Sequence, residues 1–279
     1  MRLESLPPLR EGLAAHGLLA RRSLGQHFLL DLHLTAKIAR LAGPLDGATV
    51  IEVGPGPGGL TRALLGAGAR VIAVERDARF RPMLDELADA ADGRLTVVDA
   101  DALAVDESAL VPPGAAASVV ANLPYNISAP LLIKWLTGAF RPVSMTLMFQ
   151  KEVAERITAM PATAAYGRLS VITQALSSPV MAMTLPARAF TPPPKVDSAV
   201  VRFEPLADRP DDATVAALQT VTQAAFGQRR KMLRSSLKTL GGERLCMAAS
   251  IDSDLRAEAV PVAGFLRLAQ ALLSQTTPS

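Results

Sequence analysis

Cysteine is nearly absent from this chain: Cys246 is the single one among 279 residues. One thiol excludes an internal disulfide and any multi-cysteine metal site. Histidine is almost as scarce, and His16, His27 and His33 do not follow the spacing of a zinc motif, so no metal is expected. Aromatic residues make up only 4 %, with Tyr125 and Tyr166 the only tyrosines, so the core must be mostly aliphatic. No stretch approaches the ~18 consecutive apolar residues of a membrane span. The amino-terminal stretch carries Glu4 and Glu11 and lacks a continuous apolar run of the kind a secretory signal needs. The expectation is a cytoplasmic protein without membrane association. Acids are missing from Ala213 to Gly242, a span that holds Arg229, Arg230, Lys231, Arg234 and Lys238. The net charge is only +3, but such an uneven distribution marks a candidate surface for nucleic acid.

What is present is a substantial core: 49 % of the residues are apolar. The length suits one large domain, or one with a smaller companion. Residues 1–22 read as a loose or partly helical arm. Short apolar strands and helical patterns then alternate. Strands are expected at Thr49–Val53, Val71–Val74, Leu95–Val98, Val119–Ala121, Met145–Phe149, Val180–Leu185 and Ala199–Phe203. Alternation of this kind predicts a parallel α/β sheet with helices on both faces. The late strand pair, joined through the proline-rich Thr191-Pro192-Pro193-Pro194, adds one antiparallel member. After Pro205 only helical spacing continues. The expected division is a sheet domain over 23–205 and a small all-helical domain over 206–279.

"VIEVGPGPGGLTRALL" places Gly54, Gly56 and Gly59 as G-x-G-x-x-G between the first strand and a helix. Small residues there let the backbone turn tightly and approach a nucleotide-like ligand at the carboxyl edge of a sheet. Glu75 ends the second strand, about 20 residues on, where an acid binds ribose hydroxyls. This much suits a nicotinamide cofactor as well as S-adenosylmethionine. Asp101, after the third strand, is placed to accept from a cofactor adenine amine, and Asp99 competes for that role. Glu52 lies inside the first strand, where an acid is costly unless partnered.

The fourth strand ends in "ANLPYNIS", Ala121 to Ser128. An adenine amine is a poor nucleophile because its lone pair is delocalised into the ring. Two acceptors aimed at its hydrogens favour the tetrahedral nitrogen that attack requires. The Asn122 side-chain oxygen is one candidate. The Leu123 carbonyl is the other, since Pro124 restricts the residue before it to extended geometry. Tyr125 offers a flat face for stacking. No general base is needed, because the attacked nitrogen becomes cationic and strongly acidic. This is catalysis by preorganised dipoles and positioning. A strand-ending turn with a packed tyrosine is the plainer alternative.

The segments "LGQHFLLD", "IEVGPGPGGLT", "VIAVERD", "VVANLPYNIS", "FQKEVAERI", "AYGRLSV" and "AFTPPPKVDSAVVRF" resemble, in order, those of the bacterial small-subunit (16S) ribosomal RNA adenine dimethyltransferase family. The likeness runs from about Ser23 to Leu273. It implies a Rossmann-like class I S-adenosylmethionine-dependent methyltransferase fold, with a seven-stranded, mostly parallel sheet and an all-α carboxyl-terminal domain. It implies S-adenosylmethionine as cofactor, flanked by His27 and Leu29 and held by Gly54, Gly56, Glu75, Asp101 and Asn122. Asn122, Leu123, Pro124 and Tyr125 would form the methyl-acceptor site, with Phe190 sandwiching the target base opposite Tyr125. The family often has asparagine where this chain has His27. Arg229, Arg230, Lys231, Arg234 and Lys238 become a candidate RNA-contacting helix meeting phosphates, with Arg21 and Arg22 a second patch. The implied substrate is a pair of adjacent adenines in the terminal hairpin loop of small-subunit RNA, dimethylated on a pre-assembled particle by a monomer. Competing readings are a large-subunit adenine methylase of the antibiotic-resistance type, an assembly factor acting by binding, and a nicotinamide oxidoreductase.

Overall fold

A computed structural model describes residues 3–18, 26–228 and 230–276. Ser23, Leu24 and Gly25 of the first motif, with Arg21, Arg22 and Arg229, lie outside the described residues. The chain divides into two compact units. One comprises the residues up to Ala154 together with Val180–Glu204, the other Glu155–Pro179 together with the residues from Pro205 on.

The main sheet has seven strands: β2 (Thr49–Val53), β3 (Arg70–Glu75), β4 (Leu95–Asp99), β5 (Ala117–Asn122), β6 (Met145–Gln150), β7 (Ser177–Leu185) and β9 (Ser198–Pro205). Their order across the sheet is β4-β3-β2-β5-β6-β9-β7. The pairs among β2 to β6 are parallel. Strand β9 runs antiparallel to β6, with Met145 opposite Phe203. The order reverses at β2, which has β3 on one side and β5 on the other, and a crevice opens at such a switch point beyond the carboxyl ends of the strands. Val50, Ile51, Val119 and Val120 are wholly buried, as expected of strands covered on both faces.

Helix α2 (Leu32–Leu41) starts at Asp31, whose carboxylate accepts from the His33 and Leu34 N–H groups and so satisfies two orphan donors of the first turn. Helix α3 (Gly59–Gly66) follows the glycine loop and buries Leu60, Leu64 and Leu65. Helix α4 (Arg81–Ala90) buries Met83, Leu84 and Leu87. Helix α5 (Ser128–Thr137) has Pro130 in its first turn and buries Leu131, Leu132 and Trp135; a missing N–H is harmless there. Helix α6 (Lys151–Ile157) follows β6 directly.

Two features differ from the sequence expectation. The amino-terminal residues are more than an arm: helix α1 (Leu9–Ala15) buries Leu9 and Leu13, and Leu13 and Leu18 join a cluster with Phe28, Phe80 and Met83. A two-stranded sheet, β1 (Phe28–Leu29) with β8 (Phe190–Thr191), is also present. Both strands are too short to show a period.

The second unit is helical. It contains α7 (Arg168–Leu176), α8 (Asp212–Gly227), α9 (Leu233–Ser236), α10 (Glu243–Ala248) and α11 (Val262–Thr276). The segment Glu155–Pro179 was expected within the sheet domain, but it belongs here. The buried Tyr166 donates its hydroxyl hydrogen to the Val260 carbonyl at 2.9 Å, and its ring meets Phe226, which stacks on Phe265. These contacts join positions far apart in sequence, which local periodicity cannot reveal.

Candidate active site

The glycine loop turns directly off β2. Gly54 and Gly56 have φ of 69° and 52°, a region that L side chains rarely adopt. Gly59 serves a different purpose: a Cβ there would lie 2.7 Å from the Leu29 carbonyl oxygen. The third glycine therefore permits close approach rather than an unusual turn.

A cleft of about 310 Å³ opens beyond the ends of β2 to β5, in the size range of small-ligand sites. His27, Leu29, Gly54, Gly56, Glu75, Asp101, Asn122, Leu123, Pro124 and Tyr125 all line it. The sequence-predicted cofactor and acceptor residues thus meet in one place. Asp99 is absent from the lining, and its carboxylate instead accepts from Arg81 at 2.7 Å. Phe190 is not brought to the cleft either. It is 2 % exposed, lies in the aliphatic core with Leu29 and Leu185, and pairs with Leu29 in the small sheet.

Carboxylates dominate the polar lining. Glu75 accepts from the Gly56 N–H at 3.0 Å and the Asp77 N–H at 2.8 Å. Burial pushes its carboxyl up, and those backbone donors pull it back. Asp77 is held at about 2, chiefly by the Arg79 guanidinium, and also accepts from Gln26 at 2.9 Å. Glu52 is 1 % exposed. Burial pushes its carboxyl up to about 8, the Thr61 hydroxyl offsets part of that, and the neighbouring Glu75 adds to it. Among the described residues its Oε2 has no hydrogen-bond partner. Asp101 completes the acidic set and pairs with Arg76 at 3.0 Å. Such a lining offers acceptors to a ligand rich in hydroxyl and amine groups.

The loop itself offers little to a phosphate. Pro55 and Pro57 carry no N–H. The Gly54 N–H donates to Val74, the Gly56 N–H to Glu75 and the Gly58 N–H to Pro55. With these groups engaged, the loop leaves a pyrophosphate only the first N–H groups of α3, which weakens the nicotinamide reading.

At the end of β5 the Asn122 amide nitrogen donates to the His27 carbonyl at 3.4 Å, which leaves its side-chain oxygen as an acceptor. Tyr125 stacks on His27 at 5.5 Å and 27°, and its hydroxyl lies 2.6 Å from Ser198 Oγ. Burial raises its phenol. His27 Nδ1 contacts the Pro192 carbonyl at 2.8 Å; a carbonyl only accepts, so this nitrogen carries the proton. Through these bonds Tyr125 is tied to β9 and His27 to the proline-rich loop. Ser198, Gln26 and Asp77 escaped the sequence reading. Only the strand-end position of Asp77 after "VIAVER" hinted at a place near the site.

In the helical unit, Arg230, Lys231, Arg234 and Lys238 are exposed. They do not share one helix. Helix α8 stops at Gly227, Arg230 lies in a turn, and α9 begins only at Leu233. Leu233 and Leu237 are fully buried beyond the break. Arg234 is engaged by Asp254 at 2.6 Å.

Among the described residues no cluster of three or more His, Cys, Asp or Glu is arranged to hold a metal. Nor is any described helix long and apolar enough to cross a membrane.

Residues 17–273 match the model of a family described as ribosomal RNA adenine dimethylase. The chain is 66 % identical over 275 residues to the ribosomal RNA small subunit methyltransferase A of Phenylobacterium zucineum, covering 99 % of this chain and 96 % of that protein. It is 63 % identical to the protein of the same name from Caulobacter vibrioides, covering 91 % of this chain and 98 % of the relative. Among solved structures, the 23S rRNA methyltransferase ErmE superposes with a TM-score of 0.67 at 26 % identity, over 88 % of this chain and 99 % of that one. A dimethyladenosine transferase from Plasmodium falciparum gives a TM-score of 0.71 at 24 % identity, over 87 % and 96 %, and so shares the fold.

Proposed function

The chain belongs to the ribosomal RNA adenine dimethylase family, and on that premise we propose that it dimethylates the 6-amino groups of two adjacent adenines in the terminal hairpin loop of small-subunit ribosomal RNA, with S-adenosylmethionine as donor. It is a small-subunit ribosomal RNA methyltransferase with a Rossmann-like class I fold and a helical carboxyl-terminal region. One observation carries the assignment of the site. The Asn-Leu-Pro-Tyr strand end and the glycine loop share one cleft with Glu75 and Asp101 in its lining.

The residues present fit an adenosyl sulfonium ligand. Glu75 would hold the ribose hydroxyls, Asp101 the adenine amine, and the Gly54–Gly56 backbone the body of the ligand. His27 and Leu29 would flank it. The buried Glu52 carboxyl, with one oxygen unpartnered, adds a polar group to the lining of the same cleft. Bound there, S-adenosylmethionine supplies an electrophilic methyl group on a cationic sulfur.

The protein's part is positioning. The Asn122 side-chain oxygen and the Leu123 carbonyl take the two hydrogens of the target amine and draw its nitrogen toward tetrahedral geometry. Tyr125, anchored by Ser198, presents its ring for stacking. A loop adenine is cheap to extrude into such a pocket, and unpaired loops are where RNA bases are reached. Arg230, Lys231 and Lys238 would meet backbone phosphates. We place the reaction in the cytoplasm, on a pre-assembled particle.

The test is transfer of labelled methyl groups to undermethylated small and large ribosomal subunits, followed by nucleoside analysis. Dimethyladenosine confined to small-subunit RNA is expected. Label in the large subunit would move the substrate to that of the ErmE-like relatives, and no label in either would overturn the assignment.

A further inference from the structure

We propose that Lys134, which does not line the cleft, is a positioning residue for cofactor binding: its ammonium group pins the turn that walls the adenine end. The inference rests on reading the cleft as an S-adenosylmethionine site. The turn follows β4. It is tight within itself, because the Asp101 carbonyl accepts from the Ala104 and Val105 N–H groups and the Asp101 side chain accepts from the Leu103 N–H. Its hold on the rest of the unit is another matter. The Arg76–Asp101 pair is exposed, at 76 % and 38 %, and such pairs contribute little.

The Ala100 N–H donates to the Glu75 carbonyl at 3.2 Å at the start of the turn, and Lys134 holds the rest. Its Nζ donates to the Ala102 carbonyl at 2.8 Å, the Val105 carbonyl at 2.5 Å and Glu107 Oε1 at 2.8 Å. An ammonium has three protons and no acceptor, and here three acceptors come from one turn and the residues just after it. Glu107 is 2 % exposed and also accepts from Trp135 Nε1 at 2.6 Å. Ala102 and Leu103 line the cleft, and Leu103 leaves 42 % of its surface open. Lys134 thus fixes the wall from behind.

The same helix, α5, holds the acceptor site. Its first residue, Ser128, donates to the Tyr125 carbonyl at 3.0 Å. One rigid element therefore sets the adenine wall and the Tyr125 turn together, and small displacements of either are costly in a site that works by alignment.

A plainer role would be to neutralise buried Glu107. Variants separate the two. Lys134→Met leaves a buried carboxylate with one charged partner fewer, and lowers stability. Adding Glu107→Gln removes the lone charge and restores stability, but the Ala102 and Val105 carbonyls stay untethered. The full-length protein is titrated with S-adenosylmethionine and with S-adenosylhomocysteine by calorimetry, alongside denaturant unfolding and single-turnover transfer at saturating cofactor. Lys134→Met and the double variant are both expected to bind either ligand at least about tenfold more weakly, with the saturated rate within about threefold of wild type. Glu107→Gln alone keeps its affinity. If affinity returns with stability in the double variant, or never falls, Lys134 only balances charge and the proposal is overturned. If Lys134→Met does not fold, the double variant carries the test. Failure of the wild type to bind either ligand would instead overturn the cofactor reading itself.

Discussion

At the scale of single residues, Glu52 is the group most at odds with its surroundings. A carboxyl at about 8 in the native state, against 4.5 as its ordinary value, keeps a proton that the unfolded chain has already released. Between those two values the native state binds more protons than the unfolded one, so stability falls as pH rises. The slope from one such group approaches ~1.4 kcal/mol per pH unit. Glu75 is shifted in the same direction and adds to it. Asp77, held at about 2, acts oppositely and only in acid. Glu52→Gln should flatten the loss of stability between about pH 5 and 7.5, measured by urea unfolding across that range. An unchanged slope would mean that Glu52 is ionised in the native protein. The residue was visible in the sequence as a costly acid inside a strand. Its use was not visible, because cost depends on what surrounds a side chain.

At the scale of elements, the strands and helices with strong periods matched the expectation closely, β2 and β6 almost residue for residue. Short or interrupted elements did not. Phe190 preceded a proline run in a motif associated with the target base, but pairing with Leu29 across a two-residue strand sends it into the core. The basic stretch read as one helix because it lacks acids and carries helix-forming residues. The structure interrupts it after Gly227, and α9 begins only at Leu233. Arg230 and Lys231 then stand on an exposed connection, free of the constraint of a helix face. Reversing both charges, as Arg230→Glu with Lys231→Glu, should weaken binding to small subunits at every salt concentration. The slope of log affinity against log salt should drop by roughly 0.7–0.9 for each phosphate that is no longer neutralised. An unaltered slope in filter binding would show that this connection touches no RNA.

At the scale of the molecule, the alternating pattern gave away the parallel sheet, and the motif order gave away where its switch point would be used. The sequence left the glycine loop open to a nicotinamide cofactor; in the structure Pro55 and Pro57 carry no N–H and those of Gly54, Gly56 and Gly58 are engaged, which weakens that reading. The discontinuity of the helical unit was hidden, since Tyr166 and Val260 meet only in three dimensions. The proposed reaction asks the cleft for alignment and dipoles rather than for a proton carrier. That claim is tested most directly at Asn122, by measuring single-turnover methyl transfer to small subunits and cofactor affinity side by side in the Asn122→Ala protein. The account predicts a rate at saturating cofactor lower by roughly 10²–10³, a larger loss than in cofactor affinity. Near-normal transfer would contradict it.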